Sequence, residues 1–247
     1  MKEKMITSNI LSQFKDNGLF HGISTKLDGV LSSAEIDTQT LISNRERFCQ
    51  KNGISLKSLV LFEQVHGSNI KTLDEKDLGS GVFFPESAIK NFDGGITNKK
   101  NIFIIIKTAD CIPIIGFDAH EKIIFAIHAG WRGICQGIHL KLLSKLANDF
   151  NSKYTNLHFF FGPHISQNSY GFEKVYQENL PEWKDFLVRK NEKVFMDLSG
   201  FVEKDLLEMG VPKKQIEISP TDTFSSERFW SDQKGDKERF WTIIGMN

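Results

Sequence analysis

Three short apolar runs stand in the middle of the chain: Ile102 to Ile106, Ile112 to Phe117 and Ile123 to Ile127. Their brevity and their wealth of β-branched isoleucine predict buried strands. Lys107-Thr108-Ala109-Asp110-Cys111 separates the first two, and Asp118-Ala119-His120-Glu121-Lys122 between the second and third suits a hairpin loop. Beyond His128-Ala129-Gly130-Trp131-Arg132-Gly133, the residues Ile134, Ile138, Leu142, Leu143, Leu146 and Phe150 recur at helical spacing. A helix therefore leaves just after His128, and its first N–H groups and dipole favour an anion by roughly 0.3–1 kcal/mol at an exposed site.

Elsewhere Thr38 to Asn52 reads as an amphipathic helix closed by Gly53, and Leu59 to Val65 as a strand that delivers His66-Gly67. Leu157 to Phe161 is a predicted strand running into Gly162-Pro163, and Phe201 to Met209 a helix stopped by Gly210 with Pro212 beyond. Gly79 to Gly95, rich in Gly, Pro and polar residues, predicts a long surface loop. Strands and helices mix without a strict βαβ rhythm, which predicts an α+β fold with mixed β-sheets flanked by helices. No repeat, linker or low-complexity stretch divides residues 1–247, so they read as a single domain.

Composition narrows the function. Hydrophobic residues at 40% and charged residues at 25% are ordinary for a globular chain, and the 21 phenylalanines are core material. Lys plus Arg and Asp plus Glu both total 31, so no global basic field gathers nucleic acid, although a local basic pocket stays open. The start lacks an apolar signal region and no run approaches the roughly 20 residues of a bilayer span, so the expectation is a cytoplasmic protein without a membrane anchor. Cys49, Cys111 and Cys135 are an odd set without a CxxC, which fits a reducing compartment and leaves room for one special thiol.

His66, Cys111 and His128 stand at or just after predicted strand ends, where loops present functional side chains from a rigid scaffold. Two imidazoles and a thiolate are a competent zinc set with a fourth position open. The donors are 45 and 17 residues apart, and no spacing rule links them. A metal centre, a Cys111/His128 nucleophile pair and plain packing all remain readings of the residues alone. His21, His120, His139, His158 and His164 read as solvated or satisfied by neighbours.

Gln64-Val65-His66-Gly67, Thr108-Ala109-Asp110-Cys111-Ile112-Pro113 and His128-Ala129-Gly130-Trp131-Arg132-Gly133 together resemble the signature segments of the bacterial laccase-domain family, also described as polyphenol oxidase or purine nucleoside phosphorylase. The resemblance runs from about His21 to the C-terminus, through His21-Gly22-Ile23-Ser24-Thr25, Phe92-Asp93-Gly94, Gly162-Pro163-His164-Ile165 and Asp197-Leu198. It implies one mixed domain, similar to the cytotoxic necrotizing factor-like cysteine hydrolase fold, with zinc on His66, Cys111 and His128. It also implies phosphorolysis of adenosine, inosine, guanosine and methylthioadenosine, with adenosine deamination beside it. Laccase chemistry is disfavoured by counting, since a multicopper relay needs many clustered histidines and the chain has seven and no HxH. A lone His/His/Cys site can still take up Cu(II) in vitro.

For deamination, a bound metal lowers the pKa of water from 15.7 toward about 7, and Asp110 beside Cys111 is the candidate proton shuttle. For phosphorolysis the site needs cations for phosphate, and Arg132, Lys26, Arg228 and Arg239 are the candidates. The chain departs from the family pattern at several of these points. Lys26 stands where the family has an arginine, Ser169-Tyr170 where a Cys often precedes Tyr, Thr221-Asp222-Thr223 where Cys-Thr is expected, and Glu227 where the first of two arginines belongs. Two alternatives follow: a metal-free hydrolase or transferase using Cys111 and His128, and a degenerate, non-catalytic metal-binding relative.

Overall fold

Alternation along the strands sets the architecture of the computed structural model, which describes residues 5–247. In Phe103–Thr108, Phe103 and Ile105 enter one apolar cluster and Ile104 and Ile106 another, as the two-residue period of a strand requires. In Ile123–Ala129, Ile124 and Ala126 likewise face away from Ile123, Phe125 and Ile127. Strands buried on both faces must be covered on both faces, and the outcome is four layers.

A five-stranded sheet has the spatial order Leu19–Ile23, Phe240–Met246, Phe103–Thr108, Leu59–Glu63, Ile89–Lys90. It packs on a six-stranded sheet ordered Ile216–Ile218, Leu157–Phe161, Ile112–Asp118, Ile123–Ala129, Gly94–Thr97, Lys71–Thr72. Ile104, Ile106 and Ile244 of the first share a core with Ile115, Phe117 and Ile124 of the second. The helix Thr38–Asn52 covers the outer face of the first through Phe48, and the helices Ile138–Phe150 and Leu198–Glu208 cover the second through Leu142 and Val202. Both sheets mix directions: Leu59–Glu63 is parallel to Phe103–Thr108 and Phe240–Met246 antiparallel to it. A smaller antiparallel sheet joins Gly171–Phe172, Lys193–Met196 and Leu187–Lys190. No described helix is long and apolar enough to cross a membrane.

The fold is thus α+β with mixed sheets, and it differs from the sequence reading at instructive places. The strand expected over 59–65 ends at Glu63. The helix after His128 is two helices, Trp131–Cys135 and Ile138–Phe150, because Gly137 turns left-handed at φ +72°. The helix expected from Phe201 begins at Leu198, since the Asp197 carboxylate caps the Gly200 N–H at 2.8 Å. The predicted surface loop 79–95 is corrected: it buries Val82, adds the edge strand Ile89–Lys90 and begins the buried strand Gly94–Thr97.

Candidate active site

The three soft donors arrive at one end of the sandwich from three separate backbone segments. His66 follows Leu59–Glu63, Cys111 immediately precedes Ile112–Asp118, and His128 lies near the end of Ile123–Ala129, opposite Pro113 in register. Their ligand atoms lie within 4.8 Å of one another. The two imidazoles meet edge to face, with centroids 4.7 Å apart. Gly130 is required by this crowding, because a Cβ there would stand 2.9 Å from Cys111 Sγ and 3.1 Å from His66 Cδ2.

One carboxylate organises both histidines. His66 takes a left-handed backbone at φ +59°, uncommon for a residue with a side chain, and Asp93 holds it there. The Asp93 oxygens accept the N–H groups of Val65, His66 and Gly67 at 3.3, 2.9 and 2.7 Å. They also accept Nδ1–H of buried His128 at 2.9 Å. A carboxylate only accepts, so a proton is assigned to Nδ1, and Nε2 is the nitrogen left to face Cys111 and the site. Burial alone would raise the Asp93 carboxyl, but the His128 ring and the Gly67 and His66 N–H groups hold it below the usual carboxylate range.

Burial also opposes charge on Cys111 and His128, and their mutual attraction overrides it. The thiol is held low by the charge of His128 and by hydrogen bonds from His128 and His66. His128 is held high by Cys111 and Asp93. A thiolate and an oriented imidazole beside a second imidazole fit a transition-metal ion with a further position free.

The donors open into a cavity of about 810 Å³. Arg132 and Arg239, two of the sequence candidates, line it. Arg132 stacks on Trp131 at 4.6 Å, and Arg239 pairs with Asp232 at 2.6 Å. Lys26 and Arg228 are not among the lining residues. Lys26 sits in the turn Lys26–Asp28, its N–H donating to the Arg228 carbonyl at 2.9 Å, so these two segments brace each other beside the cavity. Asp110 lines the cavity at φ +84°, and its carboxylate is engaged by Thr223 Oγ1–H at 2.6 Å, Ser231 Oγ–H at 2.9 Å and Gln233 N–H at 2.8 Å. Three donors on two oxygens make it a brace between loops.

Asp93 is visible in the sequence only as part of Phe92-Asp93-Gly94, and Lys107, which also lines the cavity, only as the first residue of the connector between two isoleucine-rich runs. The signal that finds Asp93 is the pairing of Gly94 with Ile127, which sets Asp93 beside His128; the His128 N–H donates to the Asp93 carbonyl at 2.7 Å.

A family profile described as "Multi-copper polyphenol oxidoreductase laccase" matches residues 15–247. The chain belongs to this family. Relatives of this laccase-domain chain include "Purine nucleoside phosphorylase YlmD" of Bacillus subtilis, 27% identical over 83% of this chain and 77% of that protein. "Purine nucleoside phosphorylase RC0672" of Rickettsia conorii is 32% identical over 69% of this chain and 68% of its own length. "Adenosine deaminase RL5" of an unknown prokaryotic organism is 26% identical over 73% and 71%. Among solved structures, YfiH of Bacillus licheniformis superposes with a TM-score of 0.84 at 25% identity, covering 94% of each chain. YlmD of Geobacillus stearothermophilus gives 0.87 at 23% identity over 97% of this chain and 94% of that one. These structures, rather than the cysteine hydrolase fold, carry the fold assignment.

Two positions where this laccase-domain chain departs from the family pattern are tied into the surrounding loops. Ser169 Oγ–H donates to Asp222 at 2.7 Å, and Thr223 is the residue that donates to Asp110.

Proposed function

We propose that this laccase-domain protein is a cytoplasmic, single-domain enzyme in which zinc on His66, Cys111 and His128 supports phosphorolysis of purine nucleosides, with adenosine deamination as a side activity. The observation that carries this reading is the opening of the His-Cys-His donor set into one cavity with Arg132, Arg239 and Lys107. Relatives at 26–32% identity bear phosphorylase and deaminase names. An N/N/S donor set with an open position is the catalytic zinc type, and copper, higher in the divalent affinity order, can replace zinc in vitro.

A divalent ion there supplies Lewis acidity. The residues of the chain do the rest. Trp131, Tyr170 and Phe172 offer aromatic faces to a purine. Burial pushes the Tyr170 hydroxyl above its ordinary value, so it stays a donor. Arg132 and Arg239 favour the phosphate and the negative charge that it carries into the reaction. Asp110 positions Cys111 by fixing the preceding backbone to the 221–233 loop.

The metal-free cysteine hydrolase reading gains nothing from Asp93 holding the His66 loop, whereas a metal centre uses that contact to orient a ligand. Incubation of the purified, zinc-loaded protein with adenosine or inosine, with and without phosphate, tests the proposal. Ribose 1-phosphate and free base are expected with phosphate, and their absence sinks it. Alkylation of Cys111 at full turnover-competent stoichiometry in a metal-free protein would favour the hydrolase instead.

A further inference from the structure

We infer that Lys107 and Arg239 form the subsite that receives the phosphate dianion, an inference that rests on the phosphorolytic reading of the cavity. Lys107 pairs in register with Trp241 across antiparallel strands, so their side chains share the outer face of the five-stranded sheet with Ile105 and Ile243. Arg239 precedes Phe240, and its extended backbone bridges Ser32, with its N–H on the Ser32 carbonyl at 2.8 Å. Alternation returns the Arg239 side chain to the face of Trp241 and Lys107. It is the diagonal neighbour of Lys107, a separation of roughly 7–8 Å between backbones. Long cationic side chains at that spacing can close on one tetrahedral oxyanion from two sides.

The charge on Lys107 has no counter-ion of its own. Among the described residues no salt bridge engages its ammonium, and Glu63 and Asp93 attract it without pairing. The Arg45 charge is the strongest that acts on it, followed by Glu63, Arg239 and Asp93 in that order. Arg45 cannot swing away: it stacks on Trp241 at 5.4 Å and donates to the carbonyls of Leu31, Gly81 and Val82. Of the acids on the cavity wall, Asp110 is held by three donors and Asp232 is paired with Arg239. Burial, followed by the Arg45 charge, pushes the Lys107 ammonium down to about 8, so it is still charged at neutral pH. A half-buried ammonium that no carboxylate pairs, beside the fixed Arg45 cation, is stabilised when an anion joins it.

The position of Lys107 is fixed toward the metal end. The backbone ladder with Leu59–Glu63 stops short of it, and Gln64 completes the ladder with its side chain. Its carboxamide oxygen accepts the Lys107 N–H at 2.9 Å and its amide donates to the Lys107 carbonyl at 2.8 Å. Gln64 stands two residues before His66, so one short segment sets both the cation and a metal donor.

The test is calorimetric titration of inorganic phosphate into the zinc-loaded full-length protein, paired with KM values for phosphate and for inosine. Lys107→Met is expected to weaken phosphate binding and raise the phosphate KM by roughly 10- to 100-fold, the worth of one charged hydrogen bond, with the inosine KM unmoved. Lys107→Arg is expected to restore binding, and Lys26→Met to leave all three values alone. Wild-type phosphate affinity in Lys107→Met overturns the subsite even if phosphorolysis is robust. A wild-type protein without phosphate-dependent cleavage overturns the phosphorylase reading, and the titrations then judge the subsite separately. A nucleoside monophosphate that needs Lys107 while inorganic phosphate does not bind overturns the assignment to free phosphate.

Discussion

At the metal end of the cavity, Asp93 fixes two of the three donors through four hydrogen bonds, three to the backbone around His66 and one to the His128 ring. Elsewhere on the cavity wall, Lys107, Arg239 and Arg45 stand on or against the face of a sheet, with Asp232 paired to Arg239. The first end works by exact distance, because a ligand a fraction of an ångström out of place is no ligand. The second works by field, which falls off gently with distance. The segments that carry the donors keep the pattern the sequence resembles.

Substitutions should separate the two ends, and the largest effect is expected at the donors. Cys111→Ala should lose both stoichiometric metal and turnover, read by metal content after dialysis and by the nucleoside assay; retained metal would mean that the thiolate is not a ligand. Asp93→Asn should follow with a loss of roughly 10- to 100-fold in metal affinity or activity, since an amide cannot accept all the N–H groups that the carboxylate does. Competition with a chromogenic chelator measures it, and an unchanged affinity would reduce Asp93 to a loop anchor. Gly130→Ala should weaken the metal because the new Cβ meets Cys111 Sγ at 2.9 Å. Chemical denaturation of the metal-free variant should change less than its metal affinity does.

The smallest and most diagnostic effect is on stability. The folded pKa of Lys107, about 8, lies below the roughly 10.4 of an unfolded lysine, so the folded state disfavours the charge. That cost is fully present below pH 8 and fades as pH rises toward 10. Metal-free Lys107→Met should therefore be more stable than the wild type at pH 7, with the gap closing between pH 8 and 10. A gap that is constant with pH would mean that Lys107 is solvated.

Much of this could be read in the sequence, for identifiable reasons. Ile102 to Ile106 and Ile123 to Ile127 announce themselves as strands because two-sided burial leaves no polar position, and Leu157 to Phe161 does so with His158 as its single polar residue. Thr38 to Asn52 matches its helix because Gly53 is the left-handed stop at φ +69°. Gly94–Thr97 hid inside a glycine-rich stretch, since its Gly94 and Gly95 are small where neighbouring strands approach: a Cβ on Gly94 would meet the Ala126 carbonyl at 2.4 Å. His66, Cys111 and His128 were found through their neighbours in sequence. Asp93 and Lys107 were not, because their roles are made by strand register across the sheets, which no local window contains. Lys26 and Arg228 drew attention as cations, but charge along a chain says nothing about which side of a turn faces a cavity.

Cys111 follows the turn that carries the chain from Phe103–Thr108 in one sheet to Ile112–Asp118 in the other, while His66 extends from the first sheet and His128 belongs to the second. An ion shared by the three is a clasp across the open edge of the sandwich. Its binding energy is available to the fold only when both sheets are in place, at about 4 kcal/mol for a thousandfold excess over Kd. Metal supply then governs how long the protein lasts as well as whether it works, and a chelator should loosen the jaws of the sandwich before it melts the core.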